Sequence, residues 1–131
     1  MTSYDEIWQS FLNNCKASDF DLPSTQEKIH ETIKNAVSHF NIRKSDNIQC
    51  DDIMETVNRE LPESYVLIIA HYIRLIFLIN QKTYFESTWQ PFSNDVGLKN
   101  FSSQLKSLES SITSEERIIE RLIMFTEEDF I

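Results

Sequence analysis

Glycine occurs once in this chain, at position 97, and proline three times. An all-β sandwich or barrel needs a turn signal about every 8–12 residues, and so little punctuation cannot supply it. Phosphate-cradling loops are excluded on the same ground, because their backbone needs conformations that glycine permits. The two cysteines, Cys15 and Cys50, make neither a disulfide framework nor a zinc-ligand spacing. Free thiols in a reducing compartment are the expectation. Basic residues are scarce as well, 12 against 21 acidic ones, for a net charge of −9. Such a surface repels nucleic acid at long range and argues against a protein that grips duplex DNA. It would suit a passage through which DNA must slide. The opening MTSYDEIWQS has no basic region before an apolar run, so no secretory signal is expected there.

What the chain does have is apolar material. Hydrophobic residues make up 40% and aromatics 11% of 131 residues, enough to fill one core in one domain. The expected fold is all-α: a small helical bundle around one very apolar central helix, with a long C-terminal amphipathic helix. That central helix is read at 65–79, YVLIIAHYIRLIFLI, where only His71 and Arg74 interrupt. A helix apolar all round belongs in a membrane or at the centre of a bundle. A span needs about 20 apolar residues, and this run is shorter and carries two polar side chains near its middle. The bundle centre is the expectation, with no membrane partner.

Taken in order, Tyr4, Ile7, Trp8, Phe11, Leu12 and Cys15 share one helix face, and Ser3 with Glu6 has capping-box spacing. Residues 1–15 therefore read as a helix laid over the core, or as an arm that packs on a neighbouring subunit. Residues 16–23 read as a loop. Ser24 and Glu27 repeat the capping box, and Ile29, Ile33, Ala36, Val37 and Phe40 trace a buried stripe that ends near Asn41. His30 and His39 flank that stripe without a ligand partner at metal spacing. A short helix is expected over 51–60, with Asp51 and Asp52 complementing its positive end and Ile53, Met54 and Val57 facing inward. Asp51, Asp52 and Glu55 also admit an acid–base or metal reading, which the dipole role makes unnecessary. Pro62 suits the start of the next helix, expected from Glu63 to Lys82 or Phe85 within a core region of 24–85. His71 and Arg74, three apart, share a face. A buried Arg requires a carboxylate or carbonyl partner, sought here in the short preceding helix.

Residues 86–97 form an aromatic connection. Around it Tyr84, Phe85, Trp89 and Phe92 crowd about Pro91. Aromatics in a connection either fold back on the bundle or dock on another protein. The final helix, 98–125, carries a heptad: Leu98, Leu105, Ile112 and Ile119 at one position, Phe101, Leu108, Glu115 and Leu122 at the other. Glu115 is the one flaw in that seam. The seam packs antiparallel on the central helix or is shared between subunits. Six serines between 102 and 114 lower its intrinsic propensity, so packing must stabilise it. The tail, 126–131, ends in Phe130 and Ile131, a docking hook in form. No nucleophile, base and orienting group converge by spacing, so no catalytic residue, cofactor or metal is expected.

Protein–protein assembly remains. The run SYVLIIAHYIRLIFL at 64–78 and the segment TWQPFSNDVGLKN at 88–100, set among amphipathic helices in a small acidic chain, resemble the head–tail connector (adaptor, or head-completion) proteins of tailed bacteriophages. That resemblance implies a virion protein forming a ring of about a dozen subunits beneath the portal, touching portal and other neck or tail proteins, with DNA only as passing cargo. Protein-binding residues are then expected at Tyr84, Phe85, Trp89, Pro91, Phe92, Phe130 and Ile131. The alternative is a small regulatory or inhibitory helical protein, of antitoxin, immunity or anti-repressor type, that sequesters one partner.

Overall fold

Four helices and one two-residue-stranded hairpin make up this computed structural model, which describes residues 1–15, 23, 25–89 and 98–128. The side chains of residues 88, 89, 98–101 and 128 lie outside the description. The fold is all-α, a small bundle. Helix α1 spans Tyr4–Asn14. Ser3 caps it, its hydroxyl accepting the Glu6 amide at 3.1 Å, which satisfies one of the donors a helix start leaves unpaired. Tyr4, Ile7 and Phe11 are buried, and the Phe11 ring meets Phe77 at 5.5 Å between centroids. The amphipathic face of α1 thus lies on this chain's own core.

Helix α2 spans Gln26–Lys44 and buries Ile33, Ala36, Val37 and Phe40. Its N-cap is Thr25, whose hydroxyl accepts the Lys28 amide at 3.3 Å; Ser24, the cap expected from spacing, lies outside the described residues. The helix runs past Asn41 and ends at Ser45, which takes the left-handed conformation with φ 54°. Asn41 instead pins the following loop. Its side-chain amide donates to the Ile48 carbonyl and its oxygen accepts the Ile48 amide, both at 3.0 Å.

Residues 51–60 correct the expected short helix. Strand β1, Cys50–Asp51, pairs antiparallel with β2, Thr56–Val57. The cause is local chemistry. Asp51 Oδ1 accepts the amides of Ile53 at 2.9 Å and Met54 at 3.2 Å, an Asx turn that offers the backbone an alternative to a helical ladder. Glu55 then adopts a positive φ of 55°. The amino terminus completes the arrangement: Val57 N donates to Thr2 O at 2.9 Å, and Tyr4 N donates to Glu55 O at 2.8 Å. As a result Ile53 is 92% exposed and Met54 63%, whereas Val57 is fully buried. The acidic residues here are turn and pairing groups rather than dipole complements. Asp52 accepts from the Tyr4 hydroxyl and from Lys34 Nζ, each at 2.8 Å.

Helix α3, Glu63–Trp89, starts from Pro62, whose carbonyl accepts the amides of Tyr65 and Val66 at 3.0 and 3.1 Å. At 1.5 Å per residue it is about 40 Å long. The stretch Glu63–Ser87 has the length and hydropathy of a membrane-crossing helix, yet α1, α2 and α4 all pack on it. Ile68, Ile69, Ala70 and Ile73 are fully enclosed. Tyr65 packs on Phe40 at 5.1 Å, and Tyr72 stacks on His39 at 5.8 Å.

Helix α4, Leu98–Glu128, runs antiparallel to α3, because contacts step backwards along it: Arg74 reaches Glu115 while Lys82 reaches Glu109. Ile119 and Ile123 enter the core. Leu105, Leu108 and Ile112 are half-buried, and Leu98 and Phe101 have side chains outside the description. Beyond Leu78 no described side chain of α3 is buried, and before Glu115 none of α4 is. The two helices therefore leave the core together as an antiparallel extension, with Lys82 reaching both Glu86 and Glu109.

Candidate functional site

Where α1 ends against α3 and α4, four polar side chains meet. Cys15 stands one residue past the end of α1, its amide donating to the Phe11 carbonyl at 3.0 Å. His71 and Arg74 stand a turn apart on α3, as the sequence spacing placed them. Glu115 comes from α4 and is 1% exposed. Its Oε2 accepts from Arg74 Nη1 at 2.6 Å, and its Oε1 lies 2.5 Å from His71 Nδ1. The Cys15 thiol donates to the Ala70 carbonyl at 3.7 Å and lies 3.8 Å from the same His71 nitrogen. A buried carboxylate costs several kcal/mol of desolvation unless it is paired and hydrogen-bonded. Here both oxygens are engaged, and among the described residues no buried side-chain nitrogen or oxygen lacks a partner.

This geometry replaces the partner expected for Arg74. The carboxylate comes from α4, not from 51–60, and it is the residue that broke the heptad. The one polar position in the α4 seam meets the two polar positions of the apolar run 65–79 in α3. A cleft of about 350 Å³ opens beside them, lined by Asn14, Ser110, Ser111, Ser114 and Ile118 as well as the cluster itself. Burial pushes the Cys15 thiol up to about 12, with Glu115 adding to the shift and Arg74 opposing it. At neutral pH Cys15 is therefore a thiol, the unreactive form.

The expected docking residues lie elsewhere. Tyr84, on the α3–α4 extension, is 70% exposed. Phe85 is half-buried in the same extension. Trp89 is the last residue of α3, with its side chain outside the description. Pro91, Phe92, Phe130 and Ile131 lie outside the described residues. The basic pair Arg43–Lys44 is occupied from within the chain. Arg43 makes a two-bonded fork with Glu120 at 2.9 and 2.7 Å. Lys44 Nζ donates to Thr126 Oγ1 at 3.1 Å and sits 5.7 Å over the Tyr65 ring.

Sequence reasoning missed Cys15 and Glu115 as members of one cluster. Each lies over 40 residues from His71, far beyond the spacing that ligand or relay residues show within one helix. The available signal was the coincidence of a cation in the apolar run with a carboxylate at a heptad core position.

Fold and cluster together define a small all-α bundle whose central helix is tied to its C-terminal helix by a buried ionic group. The chain belongs to the YomZ prophage protein family, which matches residues 1–128. It is 56% identical over 131 residues, spanning 100% of both chains, to a protein of Bacillus subtilis (strain 168) described as an SPbeta prophage-derived uncharacterized protein, YomZ. No solved structure matches. The chain is thus phage-derived.

Proposed function

We propose that this chain is a structural protein of the phage particle, a head–tail connector that assembles as a ring below the portal and extends the DNA channel. The observation that carries the reading is the α3–α4 extension, a pair of helices that leaves the core and presents Tyr84 to solvent in a protein of prophage origin. A projecting helical hairpin with aromatic side chains suits a subunit that reaches its neighbours. An apolar or aromatic side chain fully buried at such a contact contributes on the order of 1.5–3 kcal/mol. The net charge of −9, repeated around a ring, favours a channel lining that repels the DNA backbone and lets it slide.

The test is assembly with the portal protein of the same phage, read as mass in solution. Wild-type chain is expected to join the portal as a ring. Tyr84→Ala with Trp89→Ala is expected to stay folded and soluble but fail to join. A monomer or dimer that ignores the portal and sequesters one non-virion protein would replace this reading with the regulatory one.

A further inference from the structure

The assembly role leaves the cluster of Cys15, His71 and Glu115 without a task beyond tying helices together. A cysteine–histidine relay with a carboxylate uses both ring nitrogens, the nucleophile on one and the orienting acid on the other. Here Sγ and Oε1 both face Nδ1, at 3.8 and 2.5 Å. One donor atom from each of the three residues falls within 4.8 Å of the others. Three donor atoms gathered this closely, with only one ring nitrogen engaged, have the disposition of ligands that could surround an ion, not of a relay.

We propose that Cys15 Sγ, His71 Nδ1 and Glu115 Oε1 bind one divalent transition-metal ion of the zinc class, clasping α1 to α3 and α4. The donor set is one sulfur, one imidazole nitrogen and one carboxylate oxygen, the set that a borderline-soft, tetrahedral ion accepts. With usual zinc bond lengths, tetrahedral ligands stand roughly 3.3–3.6 Å apart. The sulfur–nitrogen separation is already close to that. The imidazole–carboxylate separation widens by about 1 Å as the ion replaces their shared proton. Arg74 keeps hold of Oε2 and so aims Oε1 at the ion, the orienting role that groups behind metal ligands play. The fourth position faces the serine-lined cleft and takes a water. With His71 neutral, one ion enters, the thiol proton leaves to solvent, and the imidazole proton moves from Nδ1 to Nε2. Charge in the cluster rises by one.

This inference is independent of the assembly reading, and its test uses the full chain freed of metal. Co²⁺ titrated into it is expected to bind at one equivalent, with a thiolate-to-cobalt charge-transfer band in the near ultraviolet and visible bands of tetrahedral intensity. Zn²⁺ should bleach both and raise the melting midpoint. Cys15→Ser is expected to abolish the charge-transfer band and weaken Zn²⁺ binding at least about tenfold. Cys50→Ser should leave both unchanged. Cys15→Ala serves if the serine variant does not fold. Absence of the band in wild type overturns the proposal, as does a band that survives loss of Cys15 or disappears with Cys50.

Discussion

Glu115 of α4 fills the polar gap that Arg74 makes in α3, with Arg74 Nη1 donating to its Oε2 at 2.6 Å. Each residue looks like a defect in its own helix, and each is the reason for the other. A carboxylate 1% exposed is tolerable because a guanidinium and an imidazole meet it. The pairing also fixes the register of α4 on α3, since a slide by one turn would bury the charge without a partner.

Replacing Glu115 by Leu should therefore destabilise the chain although it perfects the heptad. Breaking one side of a buried ion pair costs about 3–5 kcal/mol, and Arg74, with 23% of its side chain exposed, can reach water, which places the loss near the lower figure. Adding Arg74→Met should recover most of it, because an apolar pair can replace a buried ionic one at little cost. Urea denaturation of the single and double variants is the check. A single variant more stable than wild type would show that the pair does not hold the helices.

The hairpin at 50–57 makes a prediction opposite to that of an inward-facing helix. Ile53→Ser should change stability by no more than about 0.5 kcal/mol, as exposed positions do. Val57→Ser should cost about 2 kcal/mol or more, because it removes buried carbon and buries a hydroxyl. Equal losses at the two sites would restore the helix.

Stability should fall at both ends of the pH scale. Hydrogen bonds from Arg59, Lys34 and Arg43 hold Asp46, Asp52 and Glu120 below the ordinary carboxylate range. A depressed folded value gives stability that is complete above the ordinary carboxylate values of about 4 and is lost as pH falls through the folded ones. Burial raises the Tyr4 hydroxyl, aided by its bond to Asp52, and burial raises the Cys50 thiol. Groups held neutral contribute below their ordinary values and lose that contribution as pH rises beyond about 8.5 for the thiol and 10 for the phenol. Melting midpoints should decline as pH falls below about 4 and as it rises beyond about 8.5. A midpoint still rising below pH 4 would contradict these pairings.

Much of the bundle was legible in the sequence because burial writes a period. The run at 65–79, the stripe Ile33–Ala36–Val37–Phe40 and the face Tyr4–Ile7–Phe11 each report one side of a helix, and Ser3 marks a start. What was not legible depended on distant partners. The hairpin needs Asp51 to bond its own turn, and it needs residues 2–4 to lie beside β2. Helix α2 passes Asn41 in a segment where Arg43 finds Glu120 and Lys44 finds Thr126 on α4. The polar cluster draws on three helices, so no spacing within one of them could reveal it. Glu115 was visible only as an irregularity.

The proposed role makes this chain part of the phage particle. Its most direct test is quantitative mass spectrometry of purified, nuclease-treated particles released by the phage that encodes it. The chain is expected in those particles at a copy number comparable to that of the portal protein. Particles that lack it, from cells whose lysate contains it in abundance, would overturn the connector role.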